Sequence, residues 1–267
     1  MSNNALQIDV AGADAGHLLR SKANIQFITN EEPSTRVVKV PSTRAVKMPS
    51  TRVLKVADVN AGGRPDLIIG NYQQSNQLLI NQGNGEFKEV ALTVPSENWS
   101  TRAIEVGDMN NDGFPDLIVG NFYEGNKLLL NQGDGTFKEK LNAIPNDDDL
   151  YTTGMAIADL NSDGLLDVVA VSYRQDSTQQ VLLNQGKSNF QEVAGAISSD
   201  IYGAKSIAVA DVNGDCHTDI MYCSWFESDK VLLNLGNGTF EELEGSIPNA
   251  SSNRTSAIAV ADMGPLI

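Results

Sequence analysis

The strongest constraint on this chain is a nine-residue acidic pattern that returns at nearly constant intervals. It reads DVNAGGRPD at residues 58–66, DMNNDGFPD at 108–116, DLNSDGLLD at 159–167 and DVNGDCHTD at 211–219, with a clipped fifth start at Asp262. The first aspartates lie 50, 51, 52 and 51 residues apart. Self-similarity at such a period marks a repeat architecture, in which each unit buries its apolar faces only against its neighbours.

Positions 1, 3, 5 and 9 of the pattern supply carboxylate or amide oxygens, and position 6 supplies a glycine for a sharp turn. Hard oxygen donors crowded into one loop are calcium chemistry. The carboxylates repel one another until a divalent cation neutralises them. Two copies are complete: Asp108, Asn110, Asp112 and Asp116, and Asp159, Asn161, Asp163 and Asp167. The first keeps Asp58, Asn60 and Asp66 but has Gly62 at position 5, so weaker or absent Ca2+ binding is expected there. The fourth has Asp211, Asn213, Asp215 and Asp219, but Cys216 takes the glycine position and is expected in a strained backbone angle. An EF-hand shares the opening but needs a glutamate at position 12 and flanking helices. Here position 12 is Ile69, Val119, Ala170 or Tyr222, inside strand-like runs, so that reading fails.

Between the loops, apolar runs of four to six residues bounded by Gly and Asn read as strands rather than helices. Each unit spells an inner strand (RAIEV), the acidic loop, a buried strand (DLIVG), a third strand (KLLLN), a Gly-containing turn and a fourth strand (FKEK). The hairpins NQLLINQGNGEFKE, NKLLLNQGDGTFKE and KVLLNLGNGTFEE repeat this grammar, and QGKSNF is its loosest copy. Together with the loops, they resemble the FG-GAP/VCBS-type repeat, the blade of calcium-binding β-propellers that include the integrin α-subunit head. The resemblance runs over roughly residues 50–262. The fold expected is therefore all-β, a β-propeller of four-stranded antiparallel blades. Full blades fall at about 50–99, 100–150, 151–203 and 204–253, with a partial one begun by SAIAVAD. Either LQIDV, NIQFIT and TRVVKV complete a fifth blade, or the chain is part of a longer, seven-bladed ring; the second reading is favoured. An open arc would expose strand edges and invite self-association.

Residues 1–49 form a separate segment, and the tandem PSTRVVKV, PSTRAVKM and PSTRVLKV runs over residues 33–56. It reads as a duplicated inner strand of which only the last copy, residues 50–56, opens a blade. No secretory leader is legible at the start. Calcium loops nevertheless suit an extracellular or cell-surface setting, and sequons at Asn98, Asn237, Asn249 and Asn253 permit glycosylation. The formal charge of −15 disfavours nucleic acid and anionic membranes as partners. No apolar run approaches the length of a membrane span.

In an up-and-down blade the acidic loops and the NQGDG-type turns share one face. The opposite face repeats aromatics: Tyr72, Phe122, Tyr173 and Trp225 stand six residues beyond each last loop aspartate, and Trp99, Tyr151 and Tyr202 precede three of the loops. They suit a sugar ring or a protein partner, although packing between blades is the commoner use of repeated aromatics. Arg52, Arg102 and Lys205 occupy one equivalent position, six residues before a loop, on that same face. They would attract a carboxylate, or simply be solvated rim charges.

His17 and His217 have no catalytic partner, and no nucleophile elbow, phosphate loop or zinc spacing appears. Cys216 and Cys223 would be about 23 Å apart along an extended strand and should not pair with each other. The expectation is a non-enzymatic, calcium-binding recognition or adhesion module for a protein or carbohydrate. The alternatives are a calcium-dependent polysaccharide lyase and a purely structural unit without a ligand.

Overall fold

The computed structural model describes residues 50–90, 99–145, 151–174, 179–197, 201–247 and 255–260, and the backbone of three short strands before them. Those strands, β1 (Gln26–Thr29), β2 (Arg36–Lys39) and β3 (Ala45–Met48), pair in sequence order as a small antiparallel sheet.

Four four-stranded antiparallel sheets follow, each paired in sequence order. The first contains β4 (Thr51–Ala57), β5 (Asp66–Asn71), β6 (Gln77–Gly83) and β7 (Glu86–Val90). The second contains β8 (Thr101–Gly107), β9 (Asp116–Asn121), β10 (Lys127–Asn131) and β11 (Phe137–Glu139). The third contains β12 (Thr152–Ala158), β13 (Asp167–Ser172), β14 (Gln180–Asn184) and β15 (Phe190–Glu192). The fourth contains β16 (Ala204–Ala210), β17 (Asp219–Ser224), β18 (Lys230–Asn234) and β19 (Phe240–Glu242). These are the four blades, and their inner strands pack side by side in the order β4, β8, β12, β16.

The second strand of each blade is buried along its whole length. Its alternate side chains serve the two blade faces. Ile68 and Leu78 of blade one meet Ile104, Leu117 and Leu129 of blade two. Ile118 and Leu128 of blade two then meet Met155, Val168 and Leu182 of blade three, and Val169 and Val181 of blade three meet Ile220, Tyr222 and Leu232 of blade four. Each such side chain contributes about 1.5–3 kcal/mol on burial, so cohesion lies between blades rather than within them.

A polar latch repeats across each of these seams. The asparagine that ends the third strand donates from Nδ2 to the carbonyl of loop position 2 in the preceding blade: Asn131 to Val59, Asn184 to Met109 and Asn234 to Leu160. The position 2 side chain is a knob buried under the next blade. Val59, Met109 and Leu160 are at most 1% exposed, whereas Val212 of blade four is 43% exposed. Among the described residues, no segment covers that knob as the next blade covers the other three.

Residues 255–260, expected as a fifth inner strand, carry no strand pairing. They lie against blade four through Thr255 Oγ1 to Asp229 (2.7 Å), Trp225 Nε1 to Ser256 Oγ (3.3 Å) and Ile258 N to Ser206 Oγ (3.5 Å). Of the segments expected to complete a fifth blade, those within NIQFIT and TRVVKV form β1 and β2, which pair with each other and β2 with β3. Residues 6–10 and Asp262 lie outside the described residues.

Candidate metal loops and the opposite rim

The acidic loops share one hydrogen-bond plan. Position 1 accepts the N–H groups that form the turn: Asp108 takes Asp112 N (3.0 Å) and Gly113 N (2.8 Å), and Asp159 takes Asp163 N (3.1 Å) and Gly164 N (2.9 Å). Positions 4 and 6 are left-handed in every copy, as at Asn111 (φ 59°) and Gly113 (φ 89°). Cys216, with φ 71°, takes the angle expected of the glycine it replaces. That angle is strained for any residue with a Cβ.

Positions 3 and 5 clasp each other. Asn110 Nδ2 donates to Asp112 (2.8 Å) and Asn161 Nδ2 to Asp163 (2.9 Å); Asn213 Nδ2 donates to Asp215 (2.8 Å). The position 5 carboxylate also accepts the position 7 N–H in these three loops. The first loop retains the bonds to Asp58 from Gly62 N and Gly63 N, but Gly62 offers no carboxylate for the clasp.

Position 9 is tied into the fold. Asp66, Asp116, Asp167 and Asp219 are all fully buried. Each takes the position 2 N–H on one oxygen and the latch-asparagine N–H on the other; for Asp116 these are Met109 N (3.0 Å) and Asn131 N (2.8 Å). The same pair of bonds is present at Asp66, Asp167 and Asp219. Burial pushes the Asp116 and Asp167 carboxyls up to about 6, opposed by these N–H groups and reinforced by the neighbouring loop aspartates.

The four expected donors per loop therefore fall into two groups: positions 1, 3 and 5 at the loop surface, and position 9 inside, stapling the loop to the third strand. Among the described residues no group of three or more His, Cys, Asp or Glu stands together as a metal site. The donor set itself, hard carboxylate and amide oxygens on a tight turn, fits a Ca2+-type ion.

The loops and the β-hairpin turns share one face, as the connectivity requires. Gly135 in the turn of blade two lies against Asn60 and Val59 in the loop of blade one. His217 lies against Gly236 in its own blade's turn, and its Nδ1 is buried without a partner. The cysteines are unpaired, Cys216 exposed and Cys223 buried. Of the sequons, Asn237 is exposed and folds its side chain onto Thr239; Asn98, Asn249 and Asn253 lie outside the described residues.

At the opposite ends of the strands each inner strand carries a β-bulge. The register slips between Thr51 and Val53, Thr101 and Ala103, Thr152 and Gly154, and Ala204 and Ser206. The extra residues are Arg52, Arg102, Thr153 and Lys205. A bulge re-aims its side chain, and here three of four carry a cation onto the same rim as the repeated aromatics. Tyr72, Phe122, Tyr173 and Trp225 hold equivalent places there, each donating its backbone N–H to the residue before or at the start of the inner strand.

The cations stand over these rings. The Arg102 guanidinium lies 5.2 Å from Tyr72 and 4.8 Å from Phe122, Arg52 lies 5.4 Å from Tyr72, and Lys205 Nζ lies 4.2 Å from both Tyr173 and Trp225. Phe122 meets Tyr151 edge-on at 5.3 Å, and Tyr202 stacks on Phe226 at 4.7 Å. Trp99 is the exception among the expected aromatics: it is 5% exposed and packs in the core between blades one and two. Sequence reading missed Tyr123, Arg174 and Phe226, which extend the rim. Each stands directly after an aromatic that had been singled out, a doublet signal present in the sequence. The latch asparagines were also legible, as the invariant end of LLINQG, LLLNQG, VLLNQG and VLLNLG.

The chain resembles solved structures at the level of fold. It is 13% identical to the N-terminal part of BBS1 crystallised in complex with ARL6, with a TM-score of 0.48, covering 72% of this chain and 56% of that one. It is likewise 13% identical to the biofilm matrix protein Bap1 of V. cholerae (TM-score 0.48; 81% of this chain, 34% of that one). With the exotype rhamnogalacturonan lyase YesX it shares 14% identity (TM-score 0.44; 82% of this chain, 44% of that one). The chain thus spans less than two thirds of each of these proteins. No curated protein sequence matches it. The family model for the FG-GAP-like repeat matches four overlapping times, at residues 58–119, 108–170, 159–222 and 211–264. With every acidic loop inside a match and the matches together running over residues 58–264, the chain belongs to the FG-GAP-like repeat family.

Proposed function

We propose that the chain is a calcium-braced propeller module that recognises a protein or carbohydrate partner on the rim opposite its acidic loops, in an extracellular or cell-surface setting. The observation that carries this reading is the repeated bulge: the same strand irregularity in four blades places Arg52, Arg102 and Lys205 among aromatics on one rim. A bulge that served only curvature would not need a long polar side chain at the extra residue.

The cation would be held by Asp108, Asn110 and Asp112, by Asp159, Asn161 and Asp163, and by Asp211, Asn213 and Asp215, with the position 9 aspartate anchoring each loop. Its chemistry is neutralisation of carboxylates that repel one another, which stiffens the loop rather than activating a substrate. The protein's own role is then to present the rim as a rigid surface, without turnover.

Two measurements test the two halves. Thermal unfolding in excess Ca2+, Mg2+ and chelator should show a Ca2+-selective rise in Tm that grows with metal concentration; equal melting in all three would remove calcium from the proposal. Screening the protein against glycan and protein arrays should give ligands whose retention is lost in Tyr173→Ala with Trp225→Ala. Ligands retained by that variant but lost on altering the loop face would place the binding site on the other side.

A further inference from the structure

In a strongly acidic protein, the described part of the rim holds cations that no described carboxylate meets. Lys55, Lys127 and Lys230 each meet a glutamate, but Arg52, Arg102 and Lys205 meet no carboxylate among the described residues. Acids of the same rim are already engaged: Glu124 accepts Ser100 N, Glu227 accepts Tyr202 N, and Asp229 accepts Ser224 N and the Thr255 hydroxyl. Arg102 Nε is buried with no hydrogen-bond partner. Burial lowers the affinity of Arg102 and Lys205 for their protons, and repulsion adds to it, from Arg52 on Arg102 and from Arg102 on Lys205. Arg102 of blade two is thus within electrostatic reach of Arg52 in blade one and Lys205 in blade four.

Cation–π contact holds such a charge in place without using its N–H donors. An anion is what would use them. In blade three the equivalent residue is Thr153, whose hydroxyl donates to the Ala204 and Val171 carbonyls, and the cation of that blade's rim is Arg174, over Tyr151. Between and beside the cations stand partly open rings: Tyr123 is 53% exposed, Trp225 36% and Phe226 42%.

We infer that this rim binds an anionic polysaccharide of the uronate type, its carboxylates received by Arg52, Arg102 and Lys205 and its ring faces by Tyr123, Trp225 and Phe226. The inference rests on the reading that this rim is the ligand face, and it names the ligand's chemistry. A polymer with a carboxylate on each ring offers an anion and an apolar C–H face at every step, which matches a rim where cations and partly exposed rings lie together. An acidic peptide without apolar side chains would answer the cations and leave the rings unmatched.

The test is calorimetric titration of the whole chain with an oligogalacturonate, a neutral maltooligosaccharide and poly-L-glutamate of matched charge. The oligogalacturonate should bind, weaken as NaCl is raised, and lose about tenfold in affinity in Arg102→Gln and in Lys205→Gln, the loss expected for one charge-assisted contact. Lys205→Arg should restore most of the affinity, and unchanged Tm in Lys205→Gln would show that the loss is not unfolding. Phe226→Ala should weaken the oligogalacturonate alone. Equal binding of poly-L-glutamate would overturn the sugar assignment. Equal binding of the neutral oligosaccharide, indifferent to Arg102→Gln and Lys205→Gln, would overturn the anion assignment while leaving the rim as ligand face. Failure of all three probes would overturn the inference, and the array result with Tyr173→Ala and Trp225→Ala would then decide the rim's role separately.

Discussion

At the scale of the residue, the position 9 aspartates behave unlike surface ligands. Asp116 and Asp167 are fully buried, and burial raises their carboxyls to about 6 from the ordinary 3.8. The folded state therefore binds these protons more tightly than the unfolded chain, so stability from these groups is highest below about pH 4 and falls as pH rises through about 6. Urea unfolding in chelator should accordingly give a more stable protein at pH 5 than at pH 7.5, and Asp116→Asn should shrink that difference. The same substitution should cost about 1–3 kcal/mol at pH 7.5, because an amide cannot accept both Met109 N and Asn131 N as the carboxylate does. A second residue-scale device is a size exchange beneath the bulges of blades two and three. Gly120 faces Ala103, and a Cβ on it would meet Met155 Sδ at 2.6 Å and Thr152 Cγ2 at 2.7 Å. Blade three reverses the pair, with Gly154 facing Val171, and Ala204 stands where Thr152 does in the preceding blade. Gly120→Val should thus destabilise by about 1–3 kcal/mol through overpacking, and Thr152→Ala added to it should recover part of the loss in a thermal melt.

At the scale of the element, the strands were legible because each is a short apolar run closed by Gly or Asn, and the second strands read as continuous apolar runs because blades cover both of their faces. The bulges were not legible: TRVLKV and TRAIEV read as plain strands, and the slip arises from pairing with β5 and β9. The asparagine latch belongs to this scale as well. Asn184 Nδ2 reaches Met109 O at 2.8 Å across the seam, whereas Asn81 Nδ2, its counterpart in blade one, bonds Pro65 O within its own blade. Asn184→Ala should therefore cost more than Asn81→Ala, by about 1 kcal/mol for the additional bond, as read from denaturant midpoints at unchanged m-value.

At the scale of the whole molecule, the stack of blades is stabilised by nearest-neighbour interfaces, so a blade with a less covered face should open first. Val212 is 43% exposed where Val59, Met109 and Leu160 are buried. Hydrogen exchange should find the amides of β16–β19 less protected than those of β8–β15, and equal protection would mean that blade four is covered in solution as fully as its neighbours. The sequence by itself determined the repeat, its period, the four-stranded grammar of the blade and the acidic loops, because each of these is written in local spacing that recurs four times. Only the tertiary structure decided what those residues do together. It drew the position 9 aspartates inward to staple loop to strand and sent Trp99 into the seam between blades one and two. It also assembled Arg52, Arg102 and Lys205 from three blades onto one rim. The physical reason is that burial, backbone N–H satisfaction and convergence across blades depend on which segments become neighbours, and a period in the sequence does not specify the registry between one blade and the next.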